Sequence, residues 1–130
     1  TKATEAGDKE AAKMNFDKSL GYFNEALARE PDNFDAVYSI GALYYNAAAN
    51  MTQEINEYAN DFSKEGTKKY NEIKAKMDGL FEQSLPFFEK AEQLNPADAS
   101  VLQALSEIYA RKNMLEKSQE YKDRIEALQK

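Results

Sequence analysis

Few residues in this sequence are of a type that could carry out chemistry. The 130-residue chain contains no cysteine and no histidine, which excludes a thiolate nucleophile, an imidazole base and the zinc sites built from these side chains. Di-iron helical bundles are excluded as well, because their Glu-x-x-His pairs require histidine. Any catalysis would therefore depend on carboxylates, lysines or tyrosines.

Carboxylates are abundant, but their spacing is typical of a solvated surface. Acidic residues are followed by lysines around a predicted helical turn, in the order Glu54, Glu57, Asp61, Lys64, Lys68 and Lys69. Mixed signs in this arrangement favour a solvent-exposed face over a catalytic or metal site. We therefore predict no catalytic residue, no metal ligand and no bound cofactor, and we expect the protein not to be an enzyme.

The charge balance narrows the choice of partners. The chain has 23 acidic and 17 basic residues and a net charge of −6, the opposite of what binding to nucleic acid or anionic lipid requires. No apolar run approaches the roughly 18 residues of a membrane-spanning helix. We expect a protein or peptide partner, no nucleic acid and no membrane insertion, with homo-oligomerisation left open. The expected location is the cytoplasm or, after removal of an upstream signal peptide, the bacterial periplasm.

The residues that must position any site form helices. Only 2 Val, 5 Ile and 4 Thr occur and they are dispersed, which leaves little from which to build a sheet. Pro31 and Pro96 follow similar helix endings, and each is followed by an N-cap candidate, Asn33 and Asp98 respectively. Asn113 with Glu116 predicts a further capped start, for a helix beginning at Met114. The N-terminal helix is expected to start around residues 8–13.

Apolar residues spaced alternately three and four apart predict two long helices in the middle of the chain. The first is expected over 34–62, and the second over 67–94 after a stop at Gly66. If the two stripes face each other antiparallel, the residue numbers of facing partners add up to nearly the same total. This pairing places Ile55 against Ile73 and Met51 against Met77, as core residues. Pro86 predicts a kink in the second helix, with a break into two helices as the alternative.

The repeated helix ends resemble the tetratricopeptide repeat. Ile40-Gly41 and Tyr44 match its first helix, and Phe88, Ala91 and Pro96 match its second; other matches fall in adjoining repeats, at Phe23, Ala26, Pro31, Leu105 and Tyr109. The two prolines are 65 residues apart, by subtraction of their numbers, instead of about 34 in the family. An inserted, extended hairpin explains the difference, and this feature is similar to a group of bacterial repeat proteins.

The resemblance implies an all-α, tetratricopeptide-like solenoid of antiparallel helix pairs, with about five helices of which two are unusually long. We expect one domain over residues 1–130, a fragment or the C-terminal part of a longer repeat protein. By the same resemblance, a partner-binding groove is lined by outward residues of the first helices, namely Asp35, Tyr38, Tyr45, Asn46, Gln103, Glu107 and Arg111. The Lys, Asn and Arg that clamp a C-terminal carboxylate in this family are replaced here by Tyr, Ser, Ala, Gln and Glu. That mode of binding is therefore not expected.

The function that follows is a non-catalytic scaffold for protein or peptide binding. The alternative from another class is a structural module that self-associates through the flank of the long hairpin, and a carboxylate-based enzyme is a more distant alternative. An apolar stripe left uncovered on the hairpin would favour self-association. A closed pocket of converging carboxylates would favour an enzyme.

Overall fold

The computed structural model describes residues 2–129, with side chains from residue 7 onward. This part of the chain consists of five α-helices and contains no strand: α1 (Lys2–Arg29), α2 (Phe34–Tyr58), α3 (Lys64–Leu94), α4 (Ala99–Arg111) and α5 (Leu115–Leu128). Consecutive helices pack against each other along the chain. The predicted class, an all-α solenoid of antiparallel helix pairs with a long central hairpin, is confirmed. At 28 residues, α1 is long as well.

Two of the predicted helix starts are capped as expected. The Asn33 side chain accepts a hydrogen bond from the Ala36 backbone amide at 3.1 Å, and Asp98 accepts one from Val101 at 3.1 Å. Each bond satisfies an amide that has no partner within its own helix. The two caps thereby set where α2 and α4 begin.

The central hairpin is formed by α2 and α3. Ile55, Ile73 and Met77 are buried in one core cluster, and Met51 packs against that cluster. The stripe ends earlier than predicted, because α2 stops at Tyr58. Phe62 lies beyond the helix and is 87% exposed, so the expectation that it continues the buried stripe is wrong.

Gly66 does not end a helix as predicted; it lies in the first turn of α3. Ser63 caps that turn by accepting a hydrogen bond from the Gly66 amide at 3.0 Å. A Cβ at residue 66 would overlap the Asp61 carboxylate, so glycine fits here for its small size. The carboxylate accepts hydrogen bonds from the Ser63 hydroxyl at 2.6 Å and from its amide at 3.0 Å. These bonds lower the pKa of Asp61.

Asn113 is the second residue whose role at a helix end differs from the predicted one. Its φ is 61°, the left-handed conformation that asparagine tolerates at the end of a helix. The Met114 amide donates to the Tyr109 carbonyl at 2.9 Å and thereby closes α4. Because Asn113 terminates α4, the predicted capping box with Glu116 is not formed, and α5 begins at Leu115 without a side-chain cap.

Pro86 lies within an unbroken α3, so the alternative of two separate helices is wrong. Proline inside a helix costs about 3 kcal/mol or more. The neighbouring residues Leu85 and Phe88 are buried on the core side of the helix, and their packing on both sides of the proline holds the two halves together. The bend at this position stays a prediction.

The N-terminal helix starts at Lys2, ahead of the predicted residues 8–13, while Thr1 lies outside the described residues. It runs along α2, with the Phe16 and Tyr44 rings edge to face at 5.4 Å and the Lys9 ammonium 3.8 Å from Glu54. None of its described side chains is fully buried. Helix α1 therefore covers α2 from outside the main core.

The core is densest between the base of the hairpin and α4. Phe88 is 2% exposed, and Ile40, Leu102, Leu105 and Ile108 are buried as completely. The hydroxyls of the buried serines donate hydrogen bonds to backbone carbonyls. Ser118 donates to Ser106 at 2.7 Å, and Ser84 donates to Phe81 at 2.7 Å. Two tyrosines reach carboxylates on α3, Tyr109 bonding to Glu89 and Tyr121 to Glu92.

Removing the central aromatic ring should destabilise the fold strongly. We expect Phe88→Ala to lower the free energy of unfolding by about 3 to 5 kcal/mol, because it opens a cavity among fully buried side chains. Phe62→Ala is the matched control, expected to stay within about 0.5 kcal/mol because its ring is in water. Chemical denaturation measures both. A loss below about 1 kcal/mol for Phe88→Ala would contradict this description of the core.

Stability should also fall in alkali. Burial raises the pKa of Tyr109 and of Tyr121; Glu89 and Glu92 raise the pKa of Tyr109 further, and Glu92 raises that of Tyr121. An unfolded tyrosine loses its proton near pH 10, whereas these two retain it. The stability that these two tyrosines contribute to the fold is therefore fully present below about pH 10 and is lost as the pH rises above it.

The measurement for this prediction is urea unfolding between pH 8 and 11.5. We expect Tyr121→Phe to flatten the alkaline decline, because phenylalanine has no proton to lose. Tyr22→Phe, at a residue that is 70% exposed, should leave the decline unchanged. Equal slopes for the wild type and for Tyr121→Phe would contradict the assignment.

Candidate functional site

A concave groove lies between α2 and α4, at the base of the hairpin. Its volume is about 460 Å³, within the roughly 300 to 1,000 Å³ typical of ligand pockets. Phe88 of α3 lies between the two walls, and the last turns of α5 border the groove near the start of α4. The lining consists of Tyr38, Ala42, Tyr45, Asn46, Phe88, Ala99, Ser100, Gln103, Ala104, Glu107, Ile125 and Gln129.

The structure brings five of the seven predicted groove residues together: Tyr38, Tyr45, Asn46, Gln103 and Glu107. The other two do not line the groove. Asp35 is exposed in the first turn of α2, where its charge favours the helix N-terminus. Arg111 is exposed at the end of α4, with its guanidinium 4.3 Å from the centre of the Phe81 ring.

The two groove tyrosines are half-buried parts of the wall. The Tyr38 ring stacks on Phe34 at 6.1 Å and meets Phe88 edge-on at 5.8 Å. The Tyr45 ring meets Phe81 and Phe88 edge-on, at 5.3 and 6.1 Å. Packing on phenylalanines therefore fixes both rings, and only part of each faces the groove. Truncating them would disturb the core as well as the surface.

Glu107 is the charged residue of the lining. One carboxylate oxygen accepts a hydrogen bond from the Tyr45 hydroxyl, and the other accepts one from the Gln103 side-chain amide at 2.9 Å. Both donors are neutral. Among the described side chains, Glu107 forms no ion pair, and it is only half-buried.

The resemblance already placed Ala42 and Ala104 at clamp positions of the groove, although neither was among the seven predicted contacts. Their small side chains, on α2 and α4, leave the space in which the groove forms. Ser100 was missed, although it lies one helical turn before Ala104. Ile125 and Gln129, in and just after α5, had no such signal, because the resemblance assigns the groove to first helices alone.

The chemistry available in the groove is that of a binding surface. Aromatic and aliphatic faces alternate with neutral amides and one carboxylate, and such a surface can hold an apolar side chain and hydrogen-bond a peptide backbone. No group of three or more acidic residues within the described range is arranged to hold a metal ion. In that same range, no helix has the length and apolar character needed to cross a membrane.

Comparisons with known proteins give a limited result. No family model and no curated protein matches this chain. A solved structure titled MamA MSR-1 C2 is 17% identical to it with a TM-score of 0.38, and the match covers 88% of this chain and 68% of that one. An identity and TM-score this low assign neither a family nor a function.

Proposed function

We propose that this protein is a non-catalytic scaffold that binds an extended or helical segment of a partner protein in the groove between α2 and α4. The observation that carries the proposal is the groove itself, which holds five of the residues expected to line it and is walled by two fixed aromatic rings. Rigid aromatic side chains provide contact area with little loss of entropy on binding. Because the rings are already packed, the surface is organised before a partner arrives.

Self-association through the hairpin has less support. Its outer side would need an uncovered apolar stripe, but α1 lies along α2. Of the large apolar side chains that are exposed in the described part of the chain, Phe62 is the one on the hairpin. A single residue at the tip does not form a stripe.

An enzyme has less support as well. Acid and base chemistry at carboxylates requires two groups that converge on a substrate. The groove contributes one carboxylate, that of Glu107, and that group is already held by two hydrogen bonds. Binding is the simpler use of this surface.

The proposal is tested with a probe that needs no known partner. The chain is used to select peptides from a random 12-residue phage-displayed library, and the enriched peptides are synthesised and titrated by fluorescence anisotropy. Asn46 and Asn50 are both exposed and lie one turn apart on α2, but only Asn46 lines the groove. They therefore provide a matched pair of variants.

We expect Asn46→Trp to weaken peptide binding about tenfold or more, because the indole occupies space that the guest requires; such a loss corresponds to about 1.4 kcal/mol. Asn50→Trp should leave the affinity within about twofold, the scatter expected for a surface change outside the site. Failure to enrich any peptide, or equal affinities of the two variants, would contradict the proposed function.

A further inference from the structure

Glu107 differs from two carboxylates that join helices through ion pairs. Glu92 on α3 is paired with Arg124, and Glu82 is paired with Lys112 at 2.9 Å. Glu107 accepts hydrogen bonds from a tyrosine and a glutamine but has no cation within ion-pair distance among the described side chains. The groove therefore contains a carboxylate that no cation of the described residues pairs with.

Among the described residues, the cation one helical turn beyond Glu107 is engaged elsewhere. Arg111 lies four residues further along α4, the spacing at which acidic and basic side chains pair on a helix. Its guanidinium instead lies over the Phe81 ring at 4.3 Å, and Arg111 does not line the groove. Arg111 consequently does not pair with the Glu107 carboxylate, which lies on the groove side of α4.

The carboxylate also has unused acceptor capacity. Its two oxygens offer about four lone-pair directions, and the Tyr45 hydroxyl and Gln103 amide occupy two of them. These two donors fix the position of the group without neutralising it. An ammonium or guanidinium group entering the groove would find an oriented anion, and charge-assisted bonds of this kind are stronger than neutral ones.

Apolar surface lies beside this charge. Ala42, Ala104 and Ile125 line the same groove, and the Tyr38 ring provides an aromatic wall. A guest that matches the groove therefore carries a cationic side chain close to an apolar one. The net charge of −6 favours the approach of the same guest from solution.

We infer that the groove selects peptide segments in which a lysine or arginine lies next to an apolar residue, with Glu107 pairing with the cation. This inference depends on the proposed function and adds to it the chemical class of the partner. It assigns to Glu107 the role of a specificity-determining residue.

The test uses peptides selected from the library by the wild-type chain, together with a control carboxylate. Glu89 resembles Glu107 in being half-buried and in accepting a hydrogen bond from a tyrosine hydroxyl, that of Tyr109, but it does not line the groove. Glu107→Gln and Glu89→Gln each remove one negative charge and keep an oxygen that can accept the tyrosine hydrogen bond. Each peptide is also made with its basic residue replaced by norleucine, which removes the cation and keeps the aliphatic stem.

We expect the norleucine peptide to bind the wild type about fivefold or more weakly, as for a partly buried charge pair. The same replacement should change binding to Glu107→Gln by less than about twofold, while binding to Glu89→Gln follows the wild type. The affinity of the wild type for the lysine or arginine peptide should also fall as the KCl concentration rises, more steeply than for the norleucine peptide.

The salt comparison requires no protein variant, so equal salt dependence of the basic and norleucine peptides would overturn the inference even where Glu107→Gln fails to fold. Peptides that lose affinity with Asn46→Trp but show no enrichment of basic residues would overturn this inference and leave the proposed function standing. An equal effect of the norleucine replacement on the wild type and on Glu107→Gln would overturn it too. If the wild-type chain enriched no peptide from the library, the proposed function itself would be contradicted.

Discussion

The burial of Phe88 is the constraint on which the rest of the structure depends. The ring can lie under α2 because Gly41 has no side chain; a Cβ there would be only 3.2 Å from it. Tyr38 and Tyr45 then pack edge-on against the same ring, and their remaining faces form one wall of the groove. The close approach of α2 to α3 and the shape of the groove therefore have one physical cause.

Much of the fold could be predicted from the sequence because its strongest signals are local. The stripe containing Ile55 and the one containing Ile73 are long and regular, and amphipathic periodicity is the strongest signal that a helix leaves in a sequence. The caps at Asn33 and Asp98 are local, since each involves an amide three residues away. Both kinds of information are contained within a short window of sequence.

The errors come from residues whose type permits two roles. Gly66 was expected to stop a helix, but it is required for its small size beside the Asp61 carboxylate. Asn113 was expected to start a helix, but its left-handed backbone ends one. Glycine and asparagine are favoured at both ends of helices, so the choice depends on neighbours that only the folded chain supplies. The position of Phe62 was also mispredicted. Helical periodicity does not indicate that the turn between α2 and α3 begins after Tyr58 and leaves Phe62 outside the apolar stripe of α2.

The site was predictable in outline because the resemblance assigns a groove to outward positions of first helices, and five of the seven residues so named line the groove between α2 and α4. Its electrostatics were not. Glu107 and Tyr45 are 62 residues apart in sequence, and nothing local indicates that the hydroxyl of one reaches the carboxylate of the other. Nor does the sequence show that Arg111 lies over Phe81 instead of beside Glu107.

Tyr45 contributes to both folding and binding. Its ring packs in the core, while its hydroxyl donates a hydrogen bond to the Glu107 carboxylate in the groove. A substitution of Tyr45 therefore alters stability and binding together. The side chains of Asn46 and Glu107 line the groove but do not pack on the Phe88 ring, so substitutions there test binding more directly.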